Sequence, residues 1–188
     1  MNSTSNEIYI SVDVETAGPN PGTYSLLSIG ACLVSDPAQR FYVELQPVHE
    51  EVAGEALQVN GLSMETLKSR GQPPVEAMKR FADWVERVAA DGRPVFVAFN
   101  AAFDWMFVAD YFHRFLGRNP FGHKALDMKA FFMGMRGIQW EETGFDEITR
   151  HFQLDMVLPH HALEDAVAQA HLFRHMLEER SQGTAAGT

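Results

Sequence analysis

Three strand-like segments crowd into the first 45 residues, and their short, turn-rich connections constrain the fold more than any other feature. Residues 7–14 place Ile8, Ile10, Val12 and Val14 at every second position, the period of a strand with one buried face. Residues 26–34 form a second apolar strand, which contains Cys32, and residues 40–45 a third, with Phe41, Val43 and Leu45 on one side. Residues 16–24, rich in Gly and Pro, turn the chain between the first two. Parallel neighbours need a crossover, usually a helix, so these three strands are predicted to form an antiparallel meander.

The pattern then changes. Residues 55–60 read as a short helix stopped by Gly61. Residues 73–90 read as an amphipathic helix, with Val75, Met78, Phe81, Ala82, Val85 and Val88 as its buried stripe and Pro73 and Pro74 in its first turn. An apolar strand over 94–99, a helix over 101–116, a break at 117–122 and a short strand over 125–128 follow. Helices are expected over 128–135 and 145–152. Pro159 precedes a last helix running to about Arg180, whose buried stripe is Leu163, Val167, Ala170, Phe173 and Leu177. This order predicts an α/β fold: a mixed sheet, antiparallel first and parallel later, with helices on both faces. Residues 1–180 are read as one domain and 181–188 as a disordered tail, with no repeat or linker between.

The composition is that of a soluble globular protein, 46% apolar and 21% charged. One cysteine excludes an internal disulfide and suits a reducing compartment. The polar start, residues 1–6, lacks the features of a signal peptide, and no apolar run is long enough to span a bilayer. A cytoplasmic location without membrane contact is the expectation. The net charge of −10 argues against non-specific nucleic-acid binding. Its distribution softens that: Arg114, Arg118, Lys124, Lys129 and Arg136 lie close in sequence, with Phe115, Phe121, Phe131 and Phe132 interleaved. Cations that hold phosphates among aromatics that stack bases would suit a single strand, although core phenylalanines beside a solvated helix read the same way.

The chemistry lies in three short motifs. Asp13-Val14-Glu15 puts two carboxylates on one side of a strand end. If buried, they need a proton or a cation, and a hard divalent ion such as Mg²⁺ or Mn²⁺ suits oxygen ligands. Alone, such a tripeptide fits a solvated strand end equally well. The strand at 94–99 delivers Asn100 to its carboxyl end, where ligands gather in α/β sheets. Asp104 follows in the first turn of a helix, a position that also simply complements the helix dipole, with Asn100 as cap. Near the carboxyl end, His160 and Asp165 are five residues apart, about 140° around a helix. They converge only if His160 precedes the helix; His161, four residues from Asp165, is the alternative on that face. His151 and the lone Cys32 do not make a zinc set. Phosphate-loop, dinucleotide-turn and nucleophile-elbow motifs are absent.

Taken in this order, Asp13-Val14-Glu15-Thr16, Asn100 to Asp104 and His160 to Asp165 resemble the DEDD 3′-5′ exonucleases of the histidine subtype, over nearly the whole chain. That family includes polymerase proofreading subunits and ribonuclease T. Residues 12–18, Asn60-Gly61-Leu62 and Arg118-Asn119-Pro120-Phe121 are most similar to ribonuclease T. Residues 131–153 have no counterpart there, and Pro19 stands where relatives place a bulky wedge.

The resemblance implies a ribonuclease H-like fold and metal-dependent hydrolysis of single-stranded RNA or short oligonucleotides from the 3′ end, with single-stranded DNA as the alternative and a silent binding domain as a remote third. It implies two Mg²⁺ (or Mn²⁺) ions held by Asp13, Glu15, Asp104 and Asp165. It selects His160 as general base, since imidazole can take a proton near neutrality. Backbone groups at Thr16 and Ala17 would meet the terminal 3′ hydroxyl, and Asn100 and Phe103 would line the nucleotide pocket. Likeness to ribonuclease T also implies a homodimer.

Overall fold

The computed structural model describes residues 6–54 and 56–186. Its sheet has five strands in the order β3-β2-β1-β4-β5. Strands β1 (Glu7–Thr16), β2 (Leu26–Leu33) and β3 (Asp36–Glu44) pair antiparallel, as the short connections require. Strands β4 (Arg93–Ala98) and β5 (Ala125–Asp127) join on the other side of β1, and both pairings are parallel. The predicted α/β mixed sheet is therefore present.

Helices α1 (Ala56–Asn60) and α2 (Met64–Arg70) bridge to α3 (Pro74–Ala89), and α4 (Ala101–Leu116) crosses between β4 and β5. Then come α5 (Met128–Arg136), a 3₁₀ turn (Trp140–Glu142), α6 (Phe145–His151) and α7 (Ala162–Ala186). No helix among the described residues is long and apolar enough to cross a membrane.

The alternation in β1 divides the core in two. Ile10, Val12 and Val14 face α3 and α4, in a cluster built on Phe81, Phe96, Phe107 and Phe112. Phe81 stacks on Phe41 at 5.0 Å and on Phe112 at 5.4 Å, so Phe81→Ala would cost about 3–5 kcal/mol. Cys32, Val97, Met128, Phe132, Ile148 and Phe173 form the second cluster, under α5, α6 and α7.

Several local expectations need correction. Val75 is exposed, and Trp84 takes its place in the buried stripe of α3. Helix α2 was not predicted; its signal is Ser63, whose hydroxyl accepts the Thr66 N–H and caps the first turn. Helix α7 runs through residues 181–186, which the sequence suggested as tail; residues 187–188, like 1–5 and Glu55, lie outside the described residues. In α7 the buried residues are Ala162, Asp165, Ala166, Gln169, Ala170, Leu172, Phe173 and Met176; of the predicted stripe Ala170 and Phe173 are fully buried, Val167 and Leu177 pack partly buried against the second cluster, and Leu163 is half-buried.

Candidate active site

Asp13 and Glu15 project from β1 on the side opposite Val12 and Val14, towards α7. Asp13 pairs in register with Gly30 of β2. A Cβ added to Gly30 would come within 2.1 Å of the Ala162 carbonyl carbon and 2.2 Å of the Leu163 nitrogen. The missing side chain thus lets the first turn of α7 press onto the sheet beside Asp13. Asp165, one turn along, then closes the group: one carboxylate oxygen from each of Asp13, Glu15 and Asp165 lies within 4.8 Å of the others. Asp104 arrives from α4 and accepts the Val14 N–H at 3.1 Å, which places it between Asp13 and Glu15 along the backbone.

Four carboxylates this close repel, and burial removes the water that would screen them. Burial raises the Asp13 carboxyl well above the ordinary range, and the charges of Asp104, Glu15 and Asp165 raise it further, against a hydrogen bond from Gln169. Burial also raises Asp104, opposed by the Val14 N–H. Burial, with Asp165 adding, pushes Glu15 up to about 7. For Asp165 burial leads to about 6, with the His160 charge opposing. Asp165 also buries its Oδ1 with no hydrogen-bond partner. An unpartnered carboxylate oxygen among raised carboxyls fits a hard divalent cation, whose charge and oxygen preference answer both defects. Asp13, Glu15 and Asp165 would hold it directly.

His160 stands two residues before α7, exposed, with a φ of 59°. It precedes the helix, as convergence on Asp165 demands, and its charge acts on that carboxylate. His161 is directed elsewhere: its ring stacks on Tyr42 at 4.9 Å, half-buried against β3. The stack fastens the approach to α7 and leaves His160 as the imidazole presented to solvent beside the carboxylates.

The remaining residues fall less uniformly. Thr16 ends β1, Ala17 follows it, and both are buried. The Ala17 N–H is engaged by the Ser25 carbonyl at 2.9 Å, and Asn60 Nδ2 donates to the Thr16 carbonyl at 3.3 Å. Asn100 is exposed in the left-handed region, φ 63°, and makes no side-chain cap. Its expected capping role passes to Asp127, whose Oδ2 accepts the Ala101 N–H at 2.6 Å and whose Oδ1 accepts the Ala130 N–H at 2.8 Å. Phe103 is half-buried, 5.5 Å from Phe107.

The basic stretch does not survive as one open surface. Arg118 is bound by Glu86, Arg136 by Glu179 at 2.7 Å, and Arg114 lies 3.9 Å from Asp110. Phe121 and Phe132 are core residues.

One contributor was missed. Gln169, 1% exposed, donates from Nε2 to Asp13 Oδ1 at 2.7 Å and accepts the Phe99 N–H on Oε1 at 2.9 Å. It fixes the rotation of a candidate metal ligand against the end of β4. The available signal was its position, four after Asp165 on the same helix face, where an amide interrupts an apolar line.

Residues 8–177 match the family described as the 3′-5′ exoribonuclease Rv2179c-like domain. The chain is 46% identical over 172 residues to the 3′-5′ DNA exonuclease Cap18 of Escherichia coli, covering 91% of this chain and 92% of that protein. It is 38% identical over 109 residues to ribonuclease T of Vibrio campbellii, covering 52% of this chain and 51% of that one. In fold it is similar to the nuclease domain of 3′hExo, a DEDDh family member solved with rAMP, at a TM-score of 0.76 and 14% identity over 95% of both chains.

Proposed function

The chain belongs to the 3′-5′ exoribonuclease Rv2179c-like domain family and is a 3′-5′ exonuclease of the DEDDh type, and from that premise we propose that it trims single-stranded DNA from the 3′ end. The observation that carries the chemistry is the carboxylate trio of Asp13, Glu15 and Asp165 with the orphaned Asp165 Oδ1. The choice of DNA rests on the 46% identity to a DNA exonuclease over nearly the full length of both chains. It departs from the RNA substrate that the resemblance to ribonuclease T implied. RNA is the second reading, favoured by the family description and the ribonuclease T match.

Two divalent ions, Mg²⁺ or Mn²⁺, would supply Lewis-acid stabilisation of the attacking and leaving oxygens when bound. The protein does the rest. Asp13, Glu15 and Asp165 hold the ion site, and Asp104 supports it from α4. His160 takes a proton from the attacking water as its oxygen bonds to phosphorus. The P–O3′ bond breaks, the 3′ oxygen stays with the shortened strand, and a 5′-mononucleotide leaves. Backbone groups at Thr16 and Ala17 would meet the terminal 3′ hydroxyl, while Asn100 and Phe103 would flank the nucleotide. Without cations the acidic cluster repels a phosphate backbone, so binding as well as turnover requires metal.

The test is digestion of 5′-labelled DNA and RNA of one sequence with Mg²⁺, Mn²⁺ or chelator, beside an Asp13→Ala control. A ladder shortening from the 3′ end, faster on DNA and abolished by chelator and by Asp13→Ala, is expected. Faster RNA shortening overturns the DNA assignment, and shortening that survives chelator overturns the metal site.

A further inference from the structure

Trp140 is 44% exposed, whereas Trp84 is 5% exposed and in the core. It is not a frayed residue. Its carbonyl accepts the Thr143 hydroxyl at 2.6 Å and the Thr143 N–H at 3.1 Å, and Thr143 is fully buried. Glu142 turns back to accept the Gln139 N–H at 2.9 Å, which closes a capping box around the turn. The turn is thus braced by its backbone and by Thr143 and Glu142, while nearly half of the Trp140 surface stays open to solvent.

The Lys129 ammonium lies 4.4 Å from the Trp140 ring centre and 5.8 Å from that of Phe99. Among the described residues it has no carboxylate within ion-pairing distance, in contrast to its neighbour Arg136. Phe99 continues the path inward: its N–H meets Gln169 Oε1, and Gln169 Nε2 meets Asp13. An exposed ring and an unneutralised cation are thus joined by successive contacts to the carboxylate cluster. Glu141 and Glu142, in the same turn as the ring, are both exposed acids, and Glu142 is engaged by the Gln139 N–H.

We propose that Trp140 and Lys129 form a subsite for the strand on the 5′ side of the scissile bond. The Trp140 ring stacks a nucleobase and the Lys129 ammonium meets an adjacent phosphate. Every base offers a π-face and every nucleotide a phosphate, so the subsite is indifferent to sequence. It rests on the reading of a single-stranded substrate and deepens it. A strand several nucleotides long engages this subsite, and a substrate with no upstream base reaches only the carboxylate site.

The experiment compares wild type with W140A, W140F and K129Q on 5′-labelled dT10, on U10, and on the p-nitrophenyl ester of thymidine 5′-monophosphate, which has no upstream nucleotide. For W140A, KM on the better oligonucleotide should rise on the order of 5- to 100-fold, the range for losing one stacked base, with kcat and ester hydrolysis unchanged. W140F should stay within about threefold of wild type because it keeps a stacking face. K129Q should lower the slope of log affinity against log salt by about 0.7, one phosphate contact on a single strand. A W140A KM within twofold of wild type overturns the subsite while leaving the exonuclease assignment intact. If wild type cleaves no substrate, the substrate reading fails separately. Fluorescence anisotropy of labelled dT10 then decides the subsite: weaker binding by W140A sustains it, and equal binding overturns it.

Discussion

Glu15→Gln should stabilise the protein when metal is withheld, although it removes a group from the candidate site. Glu15 titrates near 4.5 in an unfolded chain and at about 7 in the folded one, mainly because it is buried, with the Asp165 charge beside it. Between those values the folded state holds a proton that the unfolded state has released, so metal-free stability falls as pH rises. The loss is absent below about 4.5 and complete above about 7. At roughly 1.4 kcal/mol per pH unit the upper bound is about 3 kcal/mol. Glu15 keeps some solvent contact, and screening reduces this to about 1–2 kcal/mol. Unfolding entropy of roughly 2 cal/mol/K per residue, over 188 residues, converts it to a Tm gain of about 3–5 °C. Thermal melts of wild type and variant in chelator would show that gap at pH 8.5 and almost none at pH 4.5. With saturating Mg²⁺ the order should invert, because the variant has lost a ligand. A variant no more stable than wild type at pH 8.5 in chelator, or a gap of equal size at pH 4.5, would refute the argument that uncompensated carboxylate charge strains this site.

Three further substitutions separate the parts of the site. His160→Ala should lower kcat roughly 10²–10⁴-fold near neutral pH while leaving the Mg²⁺-induced rise in Tm unchanged, because His160 stands outside the carboxylate trio; activity within tenfold of wild type removes it as the general base. Gly30→Ala should cost several kcal/mol, since its Cβ would lie 2.1 Å from α7 backbone. Melts with and without Mg²⁺ should show both lower stability and a weaker metal response; an unchanged metal response means that Asp165 does not depend on this approach. Gln169→Leu should weaken Mg²⁺ affinity about 10-fold, read by calorimetry without substrate, because the variant frees Asp13 to rotate. Unchanged affinity would make the Gln169 contact with Asp13 incidental.

Much of the scaffold was legible because its signals are local. The period of two in β1 assigned Asp13 and Glu15 to one face, and the apolar run of β4 located Asn100 and Asp104 at a strand end. The bounds of α4 agree with the sequence reading, from Ala101 to Leu116. Local signals also misled. Val75 has the right spacing for the α3 stripe, but the sheet lies on the Trp84 side. The basic stretch looked like a surface because its acidic partners are remote: Arg118 and Glu86 are 32 residues apart, and Arg136 and Glu179 are 43 apart.

By itself the sequence nominated the side chains of the candidate site and the element that carries each, since periodicity is a property of neighbouring residues. Only the tertiary structure decided how near those side chains come. The bare Gly30 lets α7 settle beside Asp13, the His161–Tyr42 stack leaves His160 free, and Gln169 ties together Asp13 and Phe99, which lie 156 and 70 positions before it in the chain. These are contacts between elements, and their distances follow from packing, which no local pattern encodes.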